Sequence, residues 1–231
     1  MTFAAHKPEF IPDAIFWAKA IHASTLLLAD DVQFVTKSKI NRCLIKTVHG
    51  AQWLTIPVLT RGRGQQRIQD IHINNANSWR QKQWKSLIVN YKNAAYFEKY
   101  DLAIHKIYQK KYDFLIDFNM SWIEFLQKEL SIDCKFLRTS ELGAHSDGAA
   151  IISEWGEKIG CSEYLVEVQL RDYLEQKRSE VQPINIHYMK MQPIPHYQQF
   201  GEFIPGLSII DMLLNEGDAT KNVLSEMSIT V

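Results

Sequence analysis

His6, Asp30 and Asp31 are the residues of this chain best placed to do chemistry. His6 stands directly after a short apolar run, Thr2–Ala5, and ahead of a loop bracketed by Pro8 and Pro12. Asp30 and Asp31 close a second apolar run, Thr25–Ala29. An imidazole titrates near neutral pH and serves as a general base or as a donor to an anionic oxygen. A carboxylate beside it would fix its tautomer or bind a hydroxyl. Adjacent residues at a strand end point to opposite faces, so only one aspartate should share a cleft with His6, and Asp30 is assigned that role. The plainer alternative is a histidine bonded to backbone and aspartates that cap the next turn. That alternative is favoured for any one of these residues alone; their common position favours a site.

The elements that would position them follow from apolar patterning. Thr2–Ala5 reads as a buried strand, Asp13 as the cap of a helix running to about Ala23, and Thr25–Ala29 as a strand buried on both faces. Strand, helix, strand makes a βαβ unit. Three more strands, Lys135–Arg138, Glu163–Val166 and Asn185–Lys190, are joined through helical segments. The expected fold class is therefore α/β, a mostly parallel, helix-flanked (Rossmann-like) sheet of about five strands with a β-hairpin plus helical insertion. In domain terms, residues 1–231 form a single α/β domain and residues 32–133 an insertion within it. The insertion holds a hairpin turning at His49-Gly50, a further strand over Ile68, Ile71 and Ile73, and helical pattern from Ser78 with a break near Asp113. Near the end, Ser208 reads as the cap of a helix with Asp211 in its first turn and Gly217 past its end.

In an open parallel sheet, ligands bind beyond the carboxyl ends of the strands. His6, Asp30 and Asp31, Ser140 and Glu141, Glu167, and Gln192 with His196 follow the five strands in turn, so all are expected along one edge.

The totals bound the partners. The chain is 231 residues, 46% hydrophobic and 23% charged, which excludes collagen-like and disordered classes. No basic segment with a long apolar core opens it, and Ala14–Ala29 is interrupted by Lys19 and His22. No secretory signal or membrane span is expected, and the default location is cytoplasmic. Cys43, Cys134 and Cys161 form neither a disulfide framework nor a metal-ligand spacing. The net charge is zero, but residues 1–100 hold fourteen Lys and Arg against six Asp and Glu. No acidic residue lies between Asp31 and Asp70, where Lys37, Lys39, Arg42, Lys46, Arg61, Arg63 and Arg67 cluster. Such a field favours an anionic partner, or else pairs with the acidic half of the same fold. Arg42 and Lys46 suit phosphate or carboxylate. Cys43 beside Arg42 is a weak candidate nucleophile, because no histidine partner is evident. Trp79, Trp84 and Tyr91 read as helix packing. No phosphate loop, dinucleotide fingerprint or metal motif is present, and no cofactor is implied.

Several segments together resemble the WbqC-like protein family: "HKPEFIP", "LADDVQF", "NRCLIKTVHGAQWLTIPV", "INNANSWRQKQWKSLIVNYKNAAYFEKY" and "YQQFGEFIPGLSIIDMLLNEG", in that order and over nearly the whole chain. The resemblance implies a role in bacterial surface polysaccharide, O-antigen type, with transfer of glycine or another acyl group. Carried onto this chain, its motif positions include His6, Asp30, Gln33, Asn41, Arg42, Lys46, Tyr197, Gln198 and Asp211, without assigning them roles. With the reading of the residues above, His6 and Asp30 are the catalytic candidates and Gln33, Asn41, Arg42, Lys46, Tyr197, Gln198 and Asp211 the substrate-binding candidates. One departure is "EYLVEVQLRDYL", which lacks the glycine-containing turn often found there; without it a different donor would be bound, or none.

The expected function is a transferase placing an aminoacyl or acyl group on a nucleotide-activated sugar. His6 would deprotonate the acceptor, Asp30 would orient His6, and Arg42 and Lys46 would neutralise phosphates. The partners would be a small-molecule or nucleotide-sugar substrate and an acyl carrier. The alternatives are a binding protein that recognises nucleic acid or a carrier through the basic insertion, and a nucleotidyltransferase, which lacks its usual paired histidines.

Overall fold

A computed structural model describes residues 1–230, with the side chains of 229 and 230 excepted. Its main sheet takes the strand order β5-β2-β1-β6-β7-β8. The strands are β1 (Thr2–His6), β2 (Thr25–Leu28), β5 (Lys135–Arg138), β6 (Glu163–Glu167), β7 (Asn185–Met191) and β8 (Ser228–Thr230). The first five run parallel; β8 pairs antiparallel with β7. A separate antiparallel hairpin, β3 (Arg42–Thr47) and β4 (Gly50–Thr55), comes between β2 and β5 in sequence. The expected mixed α/β architecture is thus present, with all five expected parallel strands. The short β8 was not expected.

Alternation explains why the strands read as continuous apolar runs. Phe3, Leu27, Tyr164, Val166 and Tyr188 join one buried cluster. Ala4, Leu26, Leu28, Leu165 and Met189 join the other. Successive side chains go to opposite faces, and where both faces are covered the buried positions are apolar, whereas His187 and Lys190 of β7 stay exposed. On one face lie α5 (Ala150–Ile159) and the short helices α6 (Arg171–Gln176) and α7 (Arg178–Val181). The other face carries α1 (Ala14–His22), α8 (Ile209–Glu216) and α9 (Thr220–Met227). The hairpin and three helices, α2 (Trp79–Tyr91), α3 (Phe97–Gln109) and α4 (Leu115–Glu129), add their apolar side chains to that same cluster.

Local readings hold in part. Asp13 caps α1 by accepting from the Ile15 amide at 3.0 Å. The helical stretch breaks after Gln109 and resumes at Leu115, as the pattern around Asp113 predicts. The strand expected over Ile68, Ile71 and Ile73 is instead a 3-10 turn, Ile68–Asp70, flanked by isolated bridges. Apolar residues three apart stack on one side of such a turn, so burial of Ile68 and Ile71 does not require a strand. Ser208 precedes α8, but its side chain makes no capping bond.

β1 lies between β2 and β6. From β1 the chain proceeds outward through β2 to β5, then crosses to β6 on the other flank. The reversal point lies between β1 and β6, and the crevice beyond their carboxyl ends is the favoured ligand position in such sheets.

Candidate functional site

The residues at that reversal point are strongly charged. His6 is the last residue of β1, and its Nε2 lies 3.3 Å from Glu9 Oε1. Its ring meets Phe16 edge-on at 5.4 Å. Glu167 ends β6, and its Oε2 lies 2.9 Å from Lys19 Nζ. Lys19, on the inner side of α1, is only 3% exposed and also donates to the Ala5 carbonyl at 2.8 Å. Asp13 uses its second carboxylate oxygen to pair with Lys39. Three carboxylates therefore meet two ammonium groups and one imidazole at the mouth of the β1–β6 crevice.

The electrostatics follow from burial and proximity. Burial drives the Lys19 pKa below its ordinary value, and Glu167, Glu9 and Asp13 offset only part of that. Burial pushes the Glu167 carboxyl up, but the Lys19 charge and hydrogen bond, with His6 beyond, outweigh it and hold the pKa below its ordinary value. For Lys39, burial is outweighed by Asp13 and Glu9, and the pKa rises.

Asp13 also borders a pocket of about 260 Å³. Its walls are mainly apolar, with Met191, Pro193, Phe203, Ile204 and Met212. Polar groups reach it from Gln169, His196, Gln198, Ser208 and Asp211. A narrower recess lined by Glu9, Asp13, Lys39, Arg42 and Trp53 shares Asp13, Gly206 and Ser208 with it. Recess and apolar pocket are thus neighbours at the start of α1, and Glu9 and Asp13 belong both to the charged cluster and to the recess wall.

The sequence candidates divide sharply. His6 sits at the crevice. Asp30 does not face it: the residue is 0% exposed and its carboxylate bonds to residues at and just after the end of β5. Oδ2 accepts from Arg138 Nε at 2.5 Å and Ser140 Oγ at 2.9 Å, and Oδ1 from the Ser140 amide at 3.0 Å. Asp31 accepts from Thr139 Oγ1 at 2.5 Å. The two aspartates tie β2 to β5, on the side of β1 away from Glu167. Glu9, not Asp30, is the carboxylate recorded beside His6. Gln33 is exposed and forms an isolated bridge with Arg67. Asn41 is buried and donates to the Ile56 carbonyl at 3.1 Å. Arg42 lies with its guanidinium 4.0 Å over the Trp53 ring, in the recess.

Lys46 is 1% exposed, so it does not meet a ligand phosphate from solvent. Its Nζ donates to Gln198 Oε1 at 3.1 Å and to the Glu202 carbonyl. Gln198 then clasps Ile204, accepting from its amide at 2.9 Å and donating to its carbonyl at 3.0 Å. This braces the pocket wall from behind. Asp211 lines the pocket; Oδ1 accepts from the Tyr91 hydroxyl at 2.9 Å, and Tyr91 accepts from the Lys46 amide at 2.8 Å. Burial, with Asp211 beside it, raises the Tyr91 pKa well above its ordinary range, so the phenol stays a donor. His196 Nε2 lies 3.6 Å from Asp211 Oδ2. Tyr197 is 65% exposed and its side chain is not part of this wall. Cys43 is buried, and burial pushes its thiol far up, which removes it as a nucleophile.

Glu9, Lys19 and Lys39 were missed as site residues. The signal for Lys19 was present: it is the one charged residue in "AIFWAKA", and a lysine on an apolar helix face needs a carboxylate partner.

Among the described residues, no helix is long and apolar enough to cross a membrane. The model of the WbqC-like protein family matches residues 7–223. A protein of Mycobacterium tuberculosis described as uncharacterized is 24% identical over 211 residues, covering 90% of this chain and 91% of its own length. No solved structure matches the chain.

Proposed function

The chain belongs to the WbqC-like protein family, and from that premise we propose that it transfers an acyl or aminoacyl group onto an amino or hydroxyl group of a nucleotide-activated sugar, in the making of bacterial surface polysaccharide. One observation supports the reading: His6 lies with its Nε2 3.3 Å from Glu9 at the β1–β6 crevice, and Glu9 lines the recess that adjoins the apolar pocket. An imidazole beside a carboxylate suits deprotonation of the acceptor, and the pocket suits the acyl chain of the donor. The acceptor's nitrogen or oxygen attacks the carbonyl of a thioester held on an acyl carrier. The new C–N or C–O bond forms as the C–S bond breaks; His6 takes the acceptor's proton and returns it to the leaving thiolate. A placed base of this kind contributes roughly 10²–10⁴-fold. Glu9 takes the orienting role first given to Asp30. Lys39 and Arg42, which line the recess, would be the cations to meet the acceptor's phosphates.

The test is transfer from a panel of acyl thioesters to nucleotide-linked amino sugars, with product mass as the readout. The reading expects a product heavier by the acyl group and a His6→Ala variant that keeps ligand affinity but loses about a hundredfold or more in turnover. Full activity in His6→Ala would remove the residue from the mechanism, and no product from any pair would remove the transferase.

A second reading, a binding protein for an anionic polymer or carrier, is favoured by Arg61, Arg63 and Arg67, which are all exposed on one loop free of acidic residues. It expects retention on heparin that falls steeply with salt.

A further inference from the structure

The polar groups of the apolar pocket are incompletely used. Asp211 is 1% exposed, yet only Oδ1 has a hydrogen-bond donor; Oδ2 has none. Ser208, 4% exposed and also lining the pocket, has no partner for its Oγ other than the neighbouring Cys43 thiol. His196 adds a third group. Its Nδ1 lies 3.3 Å from the Ile194 carbonyl, and a carbonyl only accepts, so Nδ1 carries a proton. Its Nε2 faces Asp211 Oδ2 at 3.6 Å, beyond hydrogen-bonding distance. A buried carboxylate oxygen left without a donor is unfavourable, and it is the kind of group that a ligand's N–H or O–H completes. The apolar surroundings, including Met191, Met212 and Met227, admit such a donor only on an otherwise hydrocarbon group.

We propose that this pocket selects acyl groups that carry a hydrogen-bond donor, a hydroxyl or an amine, and seats that donor on Asp211 Oδ2. The proposal rests on the transferase reading for the identity of the group as acyl, and it deepens that reading by naming the substrate class. An unsubstituted acyl chain of the same length leaves Oδ2 buried without a hydrogen-bond donor, which is the stronger basis of discrimination.

The test compares S-butanoyl-N-acetylcysteamine with its 2- and 3-hydroxy and 2- and 3-amino counterparts. Binding is followed on full-length protein carrying ¹³C-methyl methionine. At least one substituted thioester should bind roughly tenfold or more tightly than the unsubstituted one. Its binding should shift the Met191, Met212 and Met227 signals and leave Met1 and Met120 in place. Asp211→Asn, which puts a donor where Oδ2 was, should abolish the preference. If that variant does not fold, Ser208→Ala should still narrow it. The hydroxy and amino arms separate a neutral donor from an ammonium. Equal affinities across all five thioesters, or shifts that spare Met191, Met212 and Met227, would overturn the proposal. Preferential binding with no transfer to any acceptor would instead sink the transferase reading alone; transfer with equal use of all five would sink this proposal alone.

Discussion

Lys19 Nζ lies 2.9 Å from Glu167 Oε2, joining the middle of α1 to the end of β6 across the mouth of the crevice. The side chains are 4% and 23% exposed. Removing one partner of such a pair leaves the other charge buried and uncompensated. Here it would also leave Glu167 near Glu9 and Asp13 without the cation they share. Lys19→Met is therefore expected to lower unfolding free energy by about 3–5 kcal/mol in urea titration. Lys39→Met should lose less than Lys19→Met, because the lysine itself is half-exposed and Asp13 keeps the Ile15 amide as a donor. Similar losses in the two variants would show that burial does not set the scale.

The same pair fixes a pH dependence. The folded-state pKa of Glu167 is held below its ordinary 4.5, chiefly against burial, by Lys19 and His6. The unfolded chain then takes up its proton first as pH falls, so the stabilisation is fully present above 4.5 and is lost as pH drops through the lower folded value. Glu167→Gln removes this term. Wild type should lose stability more steeply than Glu167→Gln on acidification below 4.5, read as urea midpoints at successive pH values. Parallel curves would count against the assignment.

Asp30 provides a stability prediction where the sequence suggested catalysis. Its carboxylate is sealed among Arg138, Thr139 and Ser140. Asp30→Ala should cost about 3–5 kcal/mol by leaving the Arg138 guanidinium and the Ser140 amide without their acceptor. A loss under about 1 kcal/mol in chemical denaturation would mean that the carboxylate does not hold β2 to β5.

What could be read from the sequence, and what could not, differs by the range of the interaction. The parallel strands were legible because a strand covered on both faces reads as a short apolar run, as Leu26–Ala29 does before Asp30. Asp13 was legible as a cap because its partner is two residues away. Asp30 was not assigned to Arg138 because 108 residues separate them, and a strand-end aspartate has the same sequence signature whether it faces a ligand or a neighbouring strand. His196 and Asp211 were each noted, but not as neighbours, because the loop between β7 and α8 has no periodicity from which to infer its path. β8 spans only three residues, and its pairing with β7 supplies what its own sequence does not.

Cysteine reactivity is a direct check on burial. Cys43, Cys134 and Cys161 are all buried. Burial raises the Cys43 thiol far above its usual range and pushes Cys134 up to about 12. Since the thiolate is the reactive form, native protein at pH 8 should consume essentially no aromatic disulfide reagent over minutes, and all three thiols should react on unfolding. Rapid modification of one thiol in the native protein would contradict the packing around it.

Gly156 tests how closely α5 approaches the chain that leads into β7. It is buried within α5, where alanine would ordinarily be preferred by about 1 kcal/mol. A Cβ at Gly156, however, would lie 2.4 Å from Ile184 Cδ1 and 2.8 Å from the Cys161 carbonyl oxygen. The isoleucine methyl can rotate away; the carbonyl, part of the backbone just after the helix, cannot. Gly156→Ala should therefore destabilise by about 1–3 kcal/mol despite its helix propensity. Adding Ile184→Val should relieve only part of that loss, measured as a double-mutant cycle in urea, because the backbone contact remains. Complete relief would place the whole constraint on the side chain, and a stabilising Gly156→Ala would show that the helix can move away from the strand it covers.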